Sequence, residues 1–155
     1  MSISVLVLVL LGVFLFTFIY LRGGLHVGPR ITAAQILELQ SDEAQQDRLV
    51  IIDVRSKAET DVSMIPGALT KSEFEETIDL HQGKTIVVYC TVGARSGRYA
   101  AKLNRKGWHA MNYKGSIMDW CKNKLPLETR DGRATNQVHT YSARYAAPQS
   151  YIPVR

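Results

Sequence analysis

Thr85-Ile86-Val87-Val88-Tyr89-Cys90-Thr91-Val92-Gly93-Ala94-Arg95-Ser96 runs from an apolar stretch through a cysteine into a glycine-containing turn. Its first five residues are β-branched or aromatic and follow Gly83 and Lys84, which predicts a short buried strand. Ala94 to Lys106 predicts a helix, so Cys90 stands where strand gives way to helix. With the loop curled around it, the N–H groups of Val92 to Ser96 are unpaired helix-start donors directed at the sulfur, and the macrodipole adds positive potential. Both effects favour the thiolate. A cysteine so placed commonly loses one or more pKa units and becomes nucleophilic near neutrality. Free cysteines are otherwise mostly buried and inert, so the loop, more than the residue type, marks Cys90 as the candidate nucleophile.

Leu49-Val50-Ile51-Ile52 reads as a second buried strand that delivers Asp53-Val54-Arg55 at its carboxyl end. Thr32-Ala33-Ala34-Gln35 fits a capping box that opens a helix to about Leu39. Pro66-Gly67 turns the chain and Lys71 to Leu80 reads as a helix. Strands alternating with helices over about 100 residues give an α/β fold with a parallel central sheet flanked by helices. In such sheets ligands bind beyond the strands' carboxyl ends, which is where Cys90, Asp53 and Arg55 fall. Asp53 and Arg55 read as supporting residues, with Arg55 and Glu59 able to pair. Ile117-Met118-Asp119-Trp120-Cys121 reads as a short amphipathic helix, in which Cys121 is a packing thiol or a resolving thiol for Cys90. The four histidines, His26, His81, His109 and His139, are scattered, so no metal site is expected.

These residues resemble the rhodanese family of sulfurtransferases. Asp53-Val54-Arg55, Glu59 and Ile65-Pro66-Gly67-Ala68 are similar to its opening motif, and Tyr89-Cys90 to Arg95-Ser96 to its active-site loop. Gly107-Trp108, Asn112-Tyr113-Lys114-Gly115, Asp119-Trp120 and Leu125-Pro126-Leu127 are similar to its closing segment. The chain departs from the pattern in having Ser63-Met64 where Gly-His is usual, and Thr60 where an aromatic residue often follows the Glu. The resemblance implies a single domain that moves a sulfane sulfur from thiosulfate or a persulfide to a thiophilic acceptor through a persulfide on Cys90. Thr91, Val92, Gly93, Ala94, Arg95 and Ser96 would bind that sulfur, and no cofactor is implied. The implied partners are a small anionic sulfur donor and a thiol acceptor, which a protein thiol could also provide. A non-catalytic membrane-tethered binding module is the alternative. The fold also resembles that of the cell-cycle dual-specificity phosphatases. Their loop holds one residue more between Cys and Arg than the four enclosed by Cys90 and Arg95, and Ser96 takes the place of their Arg, so the shorter ring suits a single sulfur atom.

The ends of the chain bear on its setting. Ser2 to Leu21 has no charged residue and is apolar on every face, so as a helix it spans about 30 Å. Residues 1–21 therefore read as a transmembrane anchor in contact with the lipid bilayer through residues 2–21. Arg22 and Arg30 follow it and no Lys or Arg precedes it, which predicts a single-pass protein whose domain faces the cytoplasm. In that reducing setting two cysteines argue against a structural disulfide. Residues 22–30 read as a flexible tether, 31–128 as the rhodanese-like domain and 129–155 as a polar tail, disordered or loosely docked. The net charge of +5 sits mostly at the ends, since Arg30 to Glu128 holds 14 basic against 13 acidic residues. Nucleic acid is not an expected partner, because no basic face with base-reading elements accompanies that charge. Arg98, Lys102 and Arg105 share one face of the helix after Cys90, a solvated face or one that attracts anionic donors.

Overall fold

The computed structural model describes residues 28–155. The expected transmembrane anchor, and all of the tether before Gly28, lie outside the described residues, and among the described residues no helix is long and apolar enough to cross a membrane.

Chain order begins with α1 (Ala33–Ser41) and the one-turn α2 (Glu43–Gln46), then β1 (Leu49–Asp53), α3 (Lys57–Thr60), β2 (Leu69–Thr70) and α4 (Lys71–Glu76). A 3₁₀ turn (Ile78–His81) leads to β3 (Thr85–Tyr89), α5 (Ala94–Arg105), β4 (Ala110–Asn112) and α6 (Ser116–Lys122). The capping box at Thr32 is formed, with Gln35 N–H donating to Thr32 Oγ1 and Thr32 N–H to Gln35 Oε1. The helix expected over Lys71 to Leu80 is shorter, because Thr77 Oγ1 donates back to Glu73 O at 2.7 Å and the chain tightens into the 3₁₀ turn.

The central sheet is parallel throughout, in the order β2-β1-β3-β4. Its strands lie between two apolar layers, which is why they read as unbroken apolar runs. Alternate side chains separate accordingly. Ile51, Val87 and Tyr89 pack with Ile36, Ile117 and Trp120, whereas Val50, Ile52, Ile86 and Val88 pack with Phe74, Ala100 and Leu103. Register aligns Asp53 with Tyr89, so Asp53-Val54-Arg55 and Cys90 leave the same sheet edge.

Two expectations about the flanks are corrected. The end of the expected flexible tether is pinned, because Asn112 N–H donates to Pro29 O at 2.8 Å and Ile31 N–H to Asn112 O at 3.2 Å, which adds a short pairing beside β4. The segment 129–155 is neither disordered nor loosely docked. β5 (Leu127–Glu128) pairs with β6 (Ala134–Thr135), and β7 (Gln137–His139) runs parallel to β8 (Ile152–Val154). Val138 is fully buried in the layer that holds Tyr89 and Trp120, Tyr145, Ala147 and Tyr151 pack against that layer, and Tyr151 Oη donates to Leu125 O. Mean composition conceals this docking, because it rests on a few well-spaced apolar side chains that gain their partners only in the tertiary structure.

Candidate active site

Cys90 follows β3 directly and is almost wholly buried, as a strand between two apolar layers dictates. Gly93 N–H donates to its Sγ at 3.1 Å, and Ser96 Oγ lies within hydrogen-bond reach at 3.5 Å. Burial alone would raise the thiol pKa. The Ser96 hydroxyl and the amides of Ser96, Val92 and Gly93 outweigh it and bring the thiol down to about 7. The loop therefore favours the Cys90 thiolate near neutrality. Cys121 is the contrast: it is fully buried, and burial pushes its thiol up to about 12, which makes it a packing group.

The loop has its curvature because of Gly93. Its φ is +93°, and a Cβ there would lie 2.2 Å from Lys114 O, so a side chain meets both an unfavourable backbone and a carbonyl. Asn112 Nδ2 donates to Gly93 O at 3.3 Å, while Ile117 and Met118 N–H groups take the carbonyls of Cys90 and Thr91 at 3.1 and 3.3 Å. Val92 and Ala94 are exposed and form the rim.

An ionic clamp closes the far side. Glu59 is buried and accepts Arg95 Nη1 and Nη2 at 2.7 Å each, and Thr91 Oγ1 donates to it at 2.7 Å. Ser56 supplies a further N–H and a hydroxyl at 2.9 and 2.8 Å. Burial would raise the Glu59 pKa, yet Arg95, Thr91 and Ser56 hold it well below the usual carboxylate range. The expected Arg55–Glu59 pair does not form. Arg55 grips Asp53 instead, with Nη2 to Oδ2 at 2.6 Å and Nη2 to Ser63 O at 2.5 Å, and both side chains are sealed from solvent. The reason is geometric: with Asp53 fixed in β1, Arg55 returns across two residues to the same strand end, whereas Glu59 caps α3 on the loop side. Asp53 and Arg55 thus support the strand end and do not face Cys90 within hydrogen-bond distance. Ser63 and Met64, which stand where the family pattern has Gly-His, are buried, and Met64 pairs with Glu128 through backbone hydrogen bonds.

Sequence reasoning missed Ser116. Its hydroxyl accepts Cys90 N–H at 3.1 Å, donates to Tyr113 O at 2.9 Å and lies 3.9 Å from Sγ. No local spacing signals it, since 26 residues separate it from the cysteine. It also missed the partner of Arg95, although Glu59 stood in the opening motif. Beside Arg95, a groove of about 320 Å³ is lined by Val54, Lys71, Arg98, Tyr99 and Lys102. Among the described residues neither Arg98 nor Lys102 has a carboxylate partner, so the groove presents positive charge next to the loop.

The arrangement can ionise a thiol beneath backbone amides, with a positively charged groove beside the loop. Residues 32–123 match the family described as "Rhodanese-like domain". A protein of Allochromatium vinosum called "Sulfurtransferase" is 30% identical over 93 residues, which is 57% of this chain and 87% of that protein. A "tRNA uridine(34) hydroxylase" of Bacillus velezensis is 25% identical over 138 residues, 81% of this chain but 42% of that protein. The crystal structure of a thiosulfate sulfurtransferase from Pseudomonas aeruginosa superposes with a TM-score of 0.56 at 16% identity, over 65% of this chain and 19% of that one, a likeness of fold.

Proposed function

Because the chain belongs to the rhodanese-like domain family, we propose that it is a sulfurtransferase that carries sulfane sulfur as a persulfide on Cys90. The observation that carries this reading is the Cys90 sulfur at the carboxyl end of β3, held by the Gly93 amide at 3.1 Å with the Ser96 hydroxyl at 3.5 Å, donors that bring the thiol down to about 7. In the first step the Cys90 thiolate attacks the outer sulfur of thiosulfate. A new Sγ–S bond forms, the donor's S–S bond breaks, and sulfite leaves with the bonding pair. The loop amides then face the terminal sulfur and stabilise its charge, as an oxyanion hole does for oxygen. In the second step an acceptor thiolate attacks that terminal sulfur, leaving as a persulfide, and Cys90 returns as thiolate. Each step is a two-electron displacement with no net proton change when both thiols are ionised. Arg98 and Lys102 would raise the local concentration of an anionic donor.

The test is a thiosulfate:cyanide transfer assay with mass spectrometry of the protein. Wild type should gain one sulfur atom on Cys90 when given thiosulfate alone and lose it to cyanide. Cys90→Ser should do neither while retaining its fold, and a Cys90→Ser chain that still turns over would overturn the assignment. A chain that takes up no sulfur would favour the binding-module reading.

A further inference from the structure

The segment beyond residue 123 lies outside the family match, yet it places a ring against the clamp. Tyr141 follows β7, and its aromatic ring covers the Arg95 guanidinium at 5.2 Å from centroid to Cζ. Nη1 and Nη2 of that guanidinium are engaged by Glu59 and Thr91, which leaves its flat face open to an aromatic partner. Tyr141 takes the face. Its placement is not explained by burial, since 64% of the residue is exposed. It is not explained by backbone ease either, because Tyr141 has a φ of +64°, a conformation that suits Gly or Asn and that a bulky residue adopts only when its surroundings impose it.

The surroundings do impose it. Tyr141 N–H donates to His139 Nδ1 at 3.0 Å, the preceding Thr140 is fully buried and donates its N–H to Val154 O, and Val138 is locked in the core. β7 also packs on α3, the turn of helix that carries Glu59. Carboxylate and ring therefore reach Arg95 from elements in contact with one another.

We infer that Tyr141 is a positioning residue for the cysteine loop: its ring fixes the Arg95 guanidinium in the plane in which Glu59 and Thr91 engage it. The inference rests on the reading of Cys90 as the reacting group and adds a residue from outside the family match to the machinery that holds it. Without the ring, Arg95 can tilt out of the clamp into the groove beside Arg98, Thr91 loses one partner, and the loop amides lose their fixed aim at Sγ.

The experiment uses the full chain and three readouts. One is the Arg95 Nε–H proton resonance, assigned with Arg95→Lys, which ring current displaces while the aromatic face covers the guanidinium. Another is alkylation of Cys90 by iodoacetamide as a function of pH, read by mass spectrometry, and the last is turnover with thiosulfate and cyanide. Tyr141→Ala should abolish the ring-current shift, raise the alkylation midpoint and lower turnover roughly threefold to tenfold, with a Tm lowered by no more than about 5 °C. Tyr141→Phe, which retains the ring, should restore all three. In an Arg95→Ala background Tyr141→Ala should cost nothing further. Unchanged alkylation and turnover in Tyr141→Ala would overturn the inference, and so would an equal loss with and without Arg95. Alkylation needs no sulfur donor: a chain that transfers no sulfur, but whose midpoint still moves on Tyr141→Ala, would overturn the proposed function and support the positioning role.

Discussion

At the scale of single residues, the chemistry rests on a competition at Cys90 between burial, which raises the thiol pKa, and donors that lower it. The donors win because several of them converge on one sulfur. The pH dependence follows from the sign of that result. Below about 7 the thiol is mostly protonated, so the rate of persulfide formation at low thiosulfate should climb about tenfold per pH unit and level off above the midpoint. A stopped-flow pH series checks this, and a midpoint near that of an ordinary cysteine would mean that the amides do not act on the sulfur. Gly93 is the residue that permits this convergence. Gly93→Ala should abolish transfer and destabilise the fold by more than about 2 kcal/mol, because the new methyl meets Lys114 O in a backbone conformation that already disfavours it. Denaturant unfolding beside the transfer assay separates the two effects. Cys90 and Gly93 were both legible in the sequence, since a cysteine at a strand end followed by glycine has a local meaning. Ser116 was not, as nothing near residue 116 indicates that it will accept the Cys90 amide.

Elements matter through what they bring to the loop. α3 is one helical turn, too short to persist alone, and its function is to cap itself with Glu59 and turn that carboxylate toward Arg95. Glu59→Gln retains the shape but removes the charge that pairs with Arg95, leaving a partly buried guanidinium without its anion. We expect a loss of about 2–3 kcal/mol and slower transfer, seen as a lower urea midpoint at pH 7. The pH signature is distinctive. The folded-state pKa of Glu59 is depressed, so its contribution is full above the unfolded carboxylate value of about 4.3 and fades as pH falls from there toward the folded value. Wild type and Glu59→Gln should therefore converge in stability in acid. Of the elements around the site, β1 and β3 could be read from apolar runs, and α5 from the glycine-containing turn that precedes it. The partnership of α3 with α5 could not, because two carboxylates and two arginines near the carboxyl end of the sheet allow more than one pairing, and only packing selects Asp53–Arg55 and Glu59–Arg95.

For the whole molecule, the segment after Glu128 is a structural part of the domain. Removing residues 129–155 would expose the layer that Val138 and Tyr151 cover and strip the ring from Arg95. Truncation after Glu128 should lower stability by about 2–4 kcal/mol, on the scale of one buried aliphatic side chain with its neighbours, and reduce transfer in parallel with Tyr141→Ala. Calorimetry of the truncated and full chains is the check. A truncated chain as stable and active as the full one would show that the docking in the structure contributes little to either property.

Local patterns in the sequence specify the α/β class, the parallel strands, the position of Cys90 at a strand's carboxyl end and the membership of a family, because apolar runs, turn residues and contiguous motifs are properties of neighbouring residues. The tertiary structure alone decided which charges pair, that Ser116 and Tyr141 attend the loop, and that the polar end of the chain folds back on the sheet. These are contacts between residues far apart in sequence. Their energies depend on burial and on competition among several possible partners, and neither can be assigned until the strands have fixed where each side chain stands.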